Sequence, residues 1–267
     1  FPLEQQKAEM SAPMIQLDHV SVRYRGGMPW SRTYTDAARE ASLSIPEGST
    51  LGLVGESGSG KSTLGKVCLG LLRPDAGQAQ LAGEPMYGIG RRRPGTLAAV
   101  LQHPEWSFNP KLTIGRSIGE PLWRTGISRD EEIKAVASIL ERVGLSEGYS
   151  SRLPNELSGG QRQRASIARA LVTTPKFVVF DEAVSALDVS IQAQILNLIK
   201  ELQNEIRFAA LFISHDLAAV RYLAHEIAVM NQGKIIATAP AKSFYSPMAD
   251  SYVRRLQEAS GLIEVEK

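Results

Sequence analysis

The stretch Leu51-Gly52-Leu53-Val54-Gly55-Glu56-Ser57-Gly58-Ser59-Gly60-Lys61-Ser62-Thr63 decides the fold. Its first four residues form a short apolar run of the buried-strand type, and they pass directly into a glycine-rich loop. From Gly55 to Ser62 the loop matches G-x-x-x-x-G-K-[ST], with a strand before it and a helix expected after it, from Lys61 to about Leu72. Glycines let such a loop curl until several N–H groups converge on phosphate oxygens. The helix beginning near Lys61 adds its positive end. Lys61 carries the charge to neutralise β- and γ-phosphates, and the Ser62 hydroxyl is a candidate Mg²⁺ ligand. The bland reading is a Gly-Ser turn with a chance lysine, and the strand–loop–helix context argues against it.

Two further apolar strands end in polar residues of the right kind. Phe177-Val178-Val179-Phe180 runs into Asp181 and Glu182. Asp181 is placed to hold Mg²⁺ through its hydration shell, and Glu182 to orient and polarise an attacking water. Phe212-Ile213-Ser214-His215-Asp216 puts an imidazole where it can hydrogen-bond a γ-phosphate. Gln102 follows the apolar piece ending at Leu101, and its amide can reach metal or water. Parallel strands bring their C-terminal ends to one edge, where ligands bind, and this makes the set plausible as one site. Leu157-Ser158-Gly159-Gly160-Gln161 opens another helix, with Ser158 as N-cap. Its exposed N–H groups make a second anion site. One compact domain has little use for two γ-phosphate sites, so this helix end is expected to face a nucleotide held by a neighbouring molecule.

Around these motifs the chain reads as strands alternating with helices, hence a largely parallel sheet with helices packed on it. Ile15 to Tyr24 alternates as a strand, Arg25 to about Thr35 reads as a loop, and Ala41 to Ile45 as a second strand. Residues from about 104 to 164 change character and read as an inserted helical subdomain, with a stripe at Ile133, Val136, Ala137, Leu140 and Val143. Val189 to Ile206 is a helix, and Ile227–Met230 pairs with Lys234–Ala237 as a hairpin. Arg91-Arg92-Arg93-Pro94 reads as a solvated charge run. The net charge of +2 over 267 residues gives no global sign of a nucleic-acid partner. Cys68 is the one cysteine, which rules out an internal disulfide or a cysteine-built metal cluster and fits a reducing compartment. The longest apolar run, Phe208 to Ile213, falls far short of the roughly 20 residues a spanning helix needs, and no secretory signal is visible at Phe1 to Lys7.

On these residues the chain resembles the ATP-binding subunit of ABC transporters, over about residues 14–256, with 1–13 and 257–267 as terminal segments. The resemblance implies an α/β P-loop NTPase (RecA-like) core, an N-terminal antiparallel β subdomain and an inserted α-helical subdomain. Gly55–Thr63, with Ser57, Gly58, Ser59, Gly60, Lys61 and Ser62, looks like Walker A, and Gln102 like the Q-loop. Ser158, Gly159, Gly160 and Gln161 look like the signature sequence, Asp181 and Glu182 like Walker B and its catalytic glutamate. Asp188 closes a D-loop-like Ser185-Ala186-Leu187-Asp188, His215 resembles the switch histidine, and Tyr24 the aromatic that stacks on adenine. ATP and Mg²⁺ are the implied cofactors. Asp188-Val189-Ser190-Ile191-Gln192-Ala193-Gln194 and Ser107-Phe108-Asn109-Pro110 look like the oligopeptide, dipeptide and nickel importer branch, most like its second, F-type member or the nickel equivalent. Such a subunit pairs as a heterodimer with a paralogous ATPase beneath two integral-membrane permeases, at the cytoplasmic face of the inner membrane. An extracytoplasmic solute-binding protein delivers peptide, nickel or metal chelate, and no nucleic acid is implied. Ala183-Val184 departs from the usual Pro-Thr in the direction of the nickel-type branch, and His103 stands where Asp is common. The rival expectations are a non-transport ABC ATPase of an enzyme or translation assembly, and a scaffold that binds nucleotide without hydrolysing it; Glu182 and His215 speak against the scaffold.

Overall fold

The computed structural model describes residues 12–28, 31–87, 94–244 and 251–259; Arg91 to Arg93 and most of both terminal segments lie outside the described residues. Strands β1 (Ile15–Met28) and β2 (Ser31–Ile45) pair antiparallel from Ile15↔Ile45 out to Met28↔Ser31. The loop expected from Arg25 to Thr35 is therefore a correction: both flanks of it are strand. Strand ends hydrogen-bonded to each other satisfy their backbone without a core behind them, so Gly26 and Thr33 need not show the apolar alternation by which strands are read.

Strand β3 (Thr50–Val54) is buried throughout and leads into α1 (Lys61–Cys68). The helix stops short of Leu72 because Gly70 takes a left-handed φ of 65°. Its N–H donates to Val67 O at 2.8 Å and that of Leu71 to Lys66 O at 2.9 Å, the Schellman pattern that ends helices at glycine. Strands β4 (Ala76–Leu81) and β5 (Glu84–Pro85) complete a four-stranded antiparallel sheet in the order β2-β1-β4-β5.

The second sheet has six strands. Besides β3 it contains β6 (Leu97–Leu101), β7 (Phe177–Asp181), β8 (Ala209–Ile213), β9 (Glu226–Asn231) and β10 (Lys234–Pro240), ordered β10-β9-β3-β8-β7-β6. All its neighbours run parallel except the β9–β10 hairpin. Both faces are covered, which is why its strands read as unbroken apolar runs. Phe177, Val179, Leu211 and Ile213 pack with Ile15, Leu17 and Leu64 between the two sheets, and Cys68 is fully buried there. Val178, Phe180, Ala210 and Phe212 pack on the opposite, helical side.

That helical side is built from segments between β6 and β7 and after β7. The former are α2 (Ile114–Gly119), α3 (Arg129–Arg142), α4 (Gly159–Leu171) and short 3₁₀ turns. Ser128 and Glu131 cap α3 reciprocally, and it buries Val136, Ile139 and Leu140. Ile133, expected in that stripe, is 51% exposed, while Ile139 takes the inward position. Helix α5 (Val189–Ile206) buries Ile195, Leu198, Ile199 and Leu202, and α6 (Leu217–Leu223) and α7 (Ser251–Ala259) follow. None of the helices among the described residues is long and apolar enough to cross a membrane.

The strand register does the positioning. Leu53 pairs with Ile213, Ile213 with Asp181, and Asp181 with Leu101. Four strands thus end level, and Gln102, Glu182 and Ser214 emerge side by side next to the glycine loop.

Candidate active site

The loop's shape is set from outside. A β-carbon on Gly55 would lie 2.0 Å from Met230 O, and one on Gly60 2.0 Å from Ala37 O, so strands β9 and β2 both demand glycine. Gly60 also has φ 108°, which other residues rarely adopt. The turn after β9 and strand β2 also hold the loop by hydrogen bonds: Gly233 N donates to Ser59 O at 2.9 Å, and Arg39 N to Gly233 O at 2.7 Å.

Lys61 is buried beneath this curl, and its ammonium donates to Gly55 O and Glu56 O, both at 2.8 Å, and to Ser59 Oγ at 3.5 Å. Burial holds it below the ordinary lysine range, against the pull of Glu182 and Asp181. With Gly60 as N-cap, α1 has no side-chain cap, which leaves its first-turn N–H groups for an anion. Gly58 has open space where a β-carbon would sit. The residues therefore fit a polyphosphate.

Ser62 Oγ donates to Asp181 Oδ1 at 3.1 Å, joining α1 to the end of β7. Burial raises the Asp181 carboxyl above its usual range, the Ser62 bond opposes this, and Glu182 adds to it. A hydroxyl beside a carboxylate is an oxygen-only donor set of the kind Mg²⁺ takes. Among the described residues no group of three or more His, Cys, Asp or Glu could hold a metal, so such an ion would draw its other ligands from phosphate and water.

Glu182 has a left-handed φ of 50°, and its N–H is held by Ile213 O at 2.9 Å. Strain of this kind in a non-glycine residue costs about 1–3 kcal/mol and persists where the surroundings impose it. It turns the carboxylate toward His215, whose Nδ1 lies 3.3 Å from Glu182 Oε2. Gln102 is exposed one residue beyond the Leu101–Asp181 pair. Tyr24 is 41% exposed and shares a 3.4 Å hydrogen bond with Thr63 Oγ1, which places the ring on the approach to the loop.

The other predicted residues stand apart from this group. Ser158 caps α4 in a reciprocal box with Gln161, accepting from Gln161 N at 3.3 Å while Ser158 N donates to Gln161 Oε1 at 2.9 Å. Gln161 Nε2 donates to Tyr149 OH at 2.9 Å. Ser158 and Gly159 are exposed, and a β-carbon on Gly159 would meet nothing within 4 Å, whereas one on Gly160 would meet Ile191 at 3.0 Å. Asp188 is the exposed N-cap residue of α5, without a side-chain capping bond.

Two contacts at the site carry no local sequence signal. Gln192 Nε2 donates to Asp216 Oδ2 at 2.6 Å, tying the first turn of α5 to the residue after His215. Glu56 N donates to Tyr252 OH at 3.1 Å, so α7 touches the glycine loop from far along the chain.

The comparisons agree with this geometry. The sequence profile described as ABC transporter matches residues 38–185. A protein of Brucella abortus (strain 2308), provisionally named a peptide import ATP-binding protein, is 44% identical over 229 residues, 84% of this chain and 69% of that protein. The glutathione import ATP-binding protein GsiA of Pectobacterium atrosepticum is 42% identical over 257 residues, 92% of this chain but only 41% of GsiA. Among solved structures, the dimeric structure of MJ0796, titled a bacterial ABC transporter cassette, superposes with a TM-score of 0.75 at 26% identity, covering 85% of this chain and 99% of that one. The same cassette in a post-hydrolysis dimer bound to ADP and Pi gives 0.74 at 26% identity, with the same coverage. A phosphate-fitted loop, level strand ends and these relatives converge: the chain belongs to the ABC transporter family and is an ATP-binding, ATP-hydrolysing cassette of that family.

Proposed function

We propose that this ATPase powers solute import as one half of a head-to-tail pair. The observation that carries the pairing is the exposed Ser158–Gly159 helix end, where a β-carbon on Gly159 would meet nothing within 4 Å, so that a second cassette's nucleotide can reach it. The ATPase domain spans residues 14–256, with 104–164 as its helical subdomain. Its companion is a paralogous ATPase, its seat the cytoplasmic face of the membrane beneath two permeases, and its cargo reaches them from an extracytoplasmic binding protein. The import relatives favour a peptide-class solute. Ala183 and Val184, the residues that point toward nickel, are buried in the helical-side core, where they meet no cargo.

Within the site each side chain has a task. Lys61 has three donors and can turn from the Gly55 and Glu56 carbonyls to β- and γ-phosphate oxygens. Ser62, Asp181 and Gln102 would hold Mg²⁺, which supplies charge neutralisation on the phosphates when bound. Tyr24 stacks on adenine. Glu182 orients a water for attack on the γ-phosphorus and accepts its proton as the bond to the β–γ bridging oxygen breaks. His215 holds Glu182 and contacts the γ-phosphate. Ser158, Gly159, Gly160 and Gln161 complete the partner's site, with Asp188 beside the seam.

The test is reconstitution with the companion ATPase and permeases in vesicles, measuring ATP-dependent uptake of radiolabelled peptides and of nickel in parallel. Peptide uptake that stops with Glu182→Gln is the expected result. Full-rate hydrolysis by a demonstrably monomeric cassette would remove the pairing.

A further inference from the structure

The geometry points to Tyr252 as a positioning residue for the phosphate-binding loop, acting from α7 through the Gly55–Glu56 peptide. This inference rests on the reading of that loop as the nucleotide cradle.

A trans peptide unit points its carbonyl and its N–H in opposite directions. In the Gly55–Glu56 unit, the carbonyl accepts from Lys61 Nζ at 2.8 Å and the N–H donates to Tyr252 OH at 3.1 Å. The unit is therefore held at both ends, by the phosphate-binding lysine on one side and by the C-terminal helix on the other. It needs to be held, because it follows a glycine. Gly55 has φ 150°, a region open mainly to glycine, and a glycine on one side makes rotation of the following peptide plane inexpensive. A rotated plane would withdraw the carbonyl from Lys61 and present an N–H to the ammonium. Tyr252 opposes that rotation by holding the N–H.

The helix that carries Tyr252 is anchored independently of the bond. Val253 is fully buried in the helical-side core together with Phe244, and the Tyr252 ring packs against the same core. Tyr252 thus reaches the loop from a fixed platform. The arrangement is reciprocal: if docked α7 favours the loop shape that binds nucleotide, bound nucleotide must favour docked α7 by the same factor.

Tyr252→Phe in the full chain is the test, because it deletes the hydroxyl and keeps the ring. Binding of MgADP and MgATP to wild type, Lys61→Ala and Tyr252→Phe is measured by calorimetry. Steady-state ATPase kinetics are measured with the companion subunit, and amide hydrogen exchange of residues 251–259 with and without nucleotide. The loss of one hydrogen bond of ordinary net strength is expected to weaken nucleotide binding and raise KM about three- to ten-fold, with kcat and Tm close to wild type. Nucleotide should slow exchange in 251–259 in wild type and fail to do so in Tyr252→Phe. Val253→Ala separates this from general loosening of the helix, since a packing loss lowers Tm. Wild-type affinity in Tyr252→Phe, or equal protection of 251–259 in both proteins, would overturn the role of Tyr252. Failure of wild type itself to bind nucleotide, or undiminished binding by Lys61→Ala, would instead overturn the cradle reading on which it rests.

Discussion

Asp181, half-buried, and Lys61, buried, are opposite charges withdrawn in part from water before any ligand arrives. Burial lifts the carboxyl above its ordinary range and depresses the ammonium. A carboxyl with a raised folded pKa supports the fold below its ordinary range and loses that support as pH rises through the folded value. An ammonium with a lowered folded pKa supports the fold only above the ordinary lysine range and loses that support as pH falls through the folded value. At neutral pH both charged groups therefore burden the ligand-free protein. Asp181→Asn should raise the Tm of the ligand-free chain at pH 7, by about 2–4 °C for each kcal/mol relieved in a domain of this size. The gain should shrink as melts are repeated at lower pH, where Asp181 is protonated already, and the same variant should lose Mg²⁺-dependent nucleotide binding. Lys61→Ala is expected to lose most affinity for MgATP in a calorimetric titration. Glu182→Gln keeps shape and most hydrogen bonds but removes the proton acceptor; it should bind ATP with turnover reduced at least 100-fold, read by phosphate release. The positions of these residues could be read from sequence: Asp181 and Glu182 end an apolar run and parallel strands end together, and Lys61 closes the glycine loop that follows another such run. The Tyr252 contact could not be read, since 196 residues separate it from Glu56 and no local pattern marks a hydrogen bond to a backbone N–H.

At the level of elements, helix ends decide the chemistry. Helix α1 begins without a side-chain cap, whereas α4 begins with the Ser158–Gln161 box. Replacing Ser158 by Ala should cost about 1 kcal/mol of stability through the lost cap, visible as a lower urea midpoint. Gly159→Glu separates stability from pairing, since a side chain there meets open space. The variant should melt within about 2 °C of wild type, as exposed substitutions do. It should nonetheless abolish ATPase activity of the pair by setting a carboxylate against the partner's phosphate. The start of α1 was legible from the strand–loop–helix pattern. Its end was misplaced because Leu71 and Leu72 continue the apolar rhythm while Gly70 has already turned the chain. The β1–β2 ribbon was missed for the converse reason: beyond Tyr24 its cross-strand contacts are polar and exposed, such as Arg25 over the Tyr34 ring, and leave no apolar alternation to read. Periodicity also credited Ile133 with an inward direction, whereas that side chain is exposed and Ile139, left out of the stripe, is buried.

Across the whole molecule, two cores flank one sheet, and the phosphate loop lies where all three layers meet. The sheet's apolar runs made this architecture readable, as segments buried on both faces cannot afford polar positions. The proposed sharing of a catalytic centre with a second cassette predicts that assembly changes with ligand. Glu182→Gln mixed with its companion and MgATP should elute from a sizing column as a stable pair, and as separate chains once ATP is omitted. Cys68 offers a way to watch the interior during such a cycle. Its thiol is fully enclosed at the end of α1, and burial pushes it up to about 12, so reagents that attack thiolates find neither access nor anion. Labelling there can proceed only through excursions that part α1 from the sheet. The modification rate of this one sulfur thus becomes a stopwatch for how often α1 lifts from the sheet, with no engineered label needed.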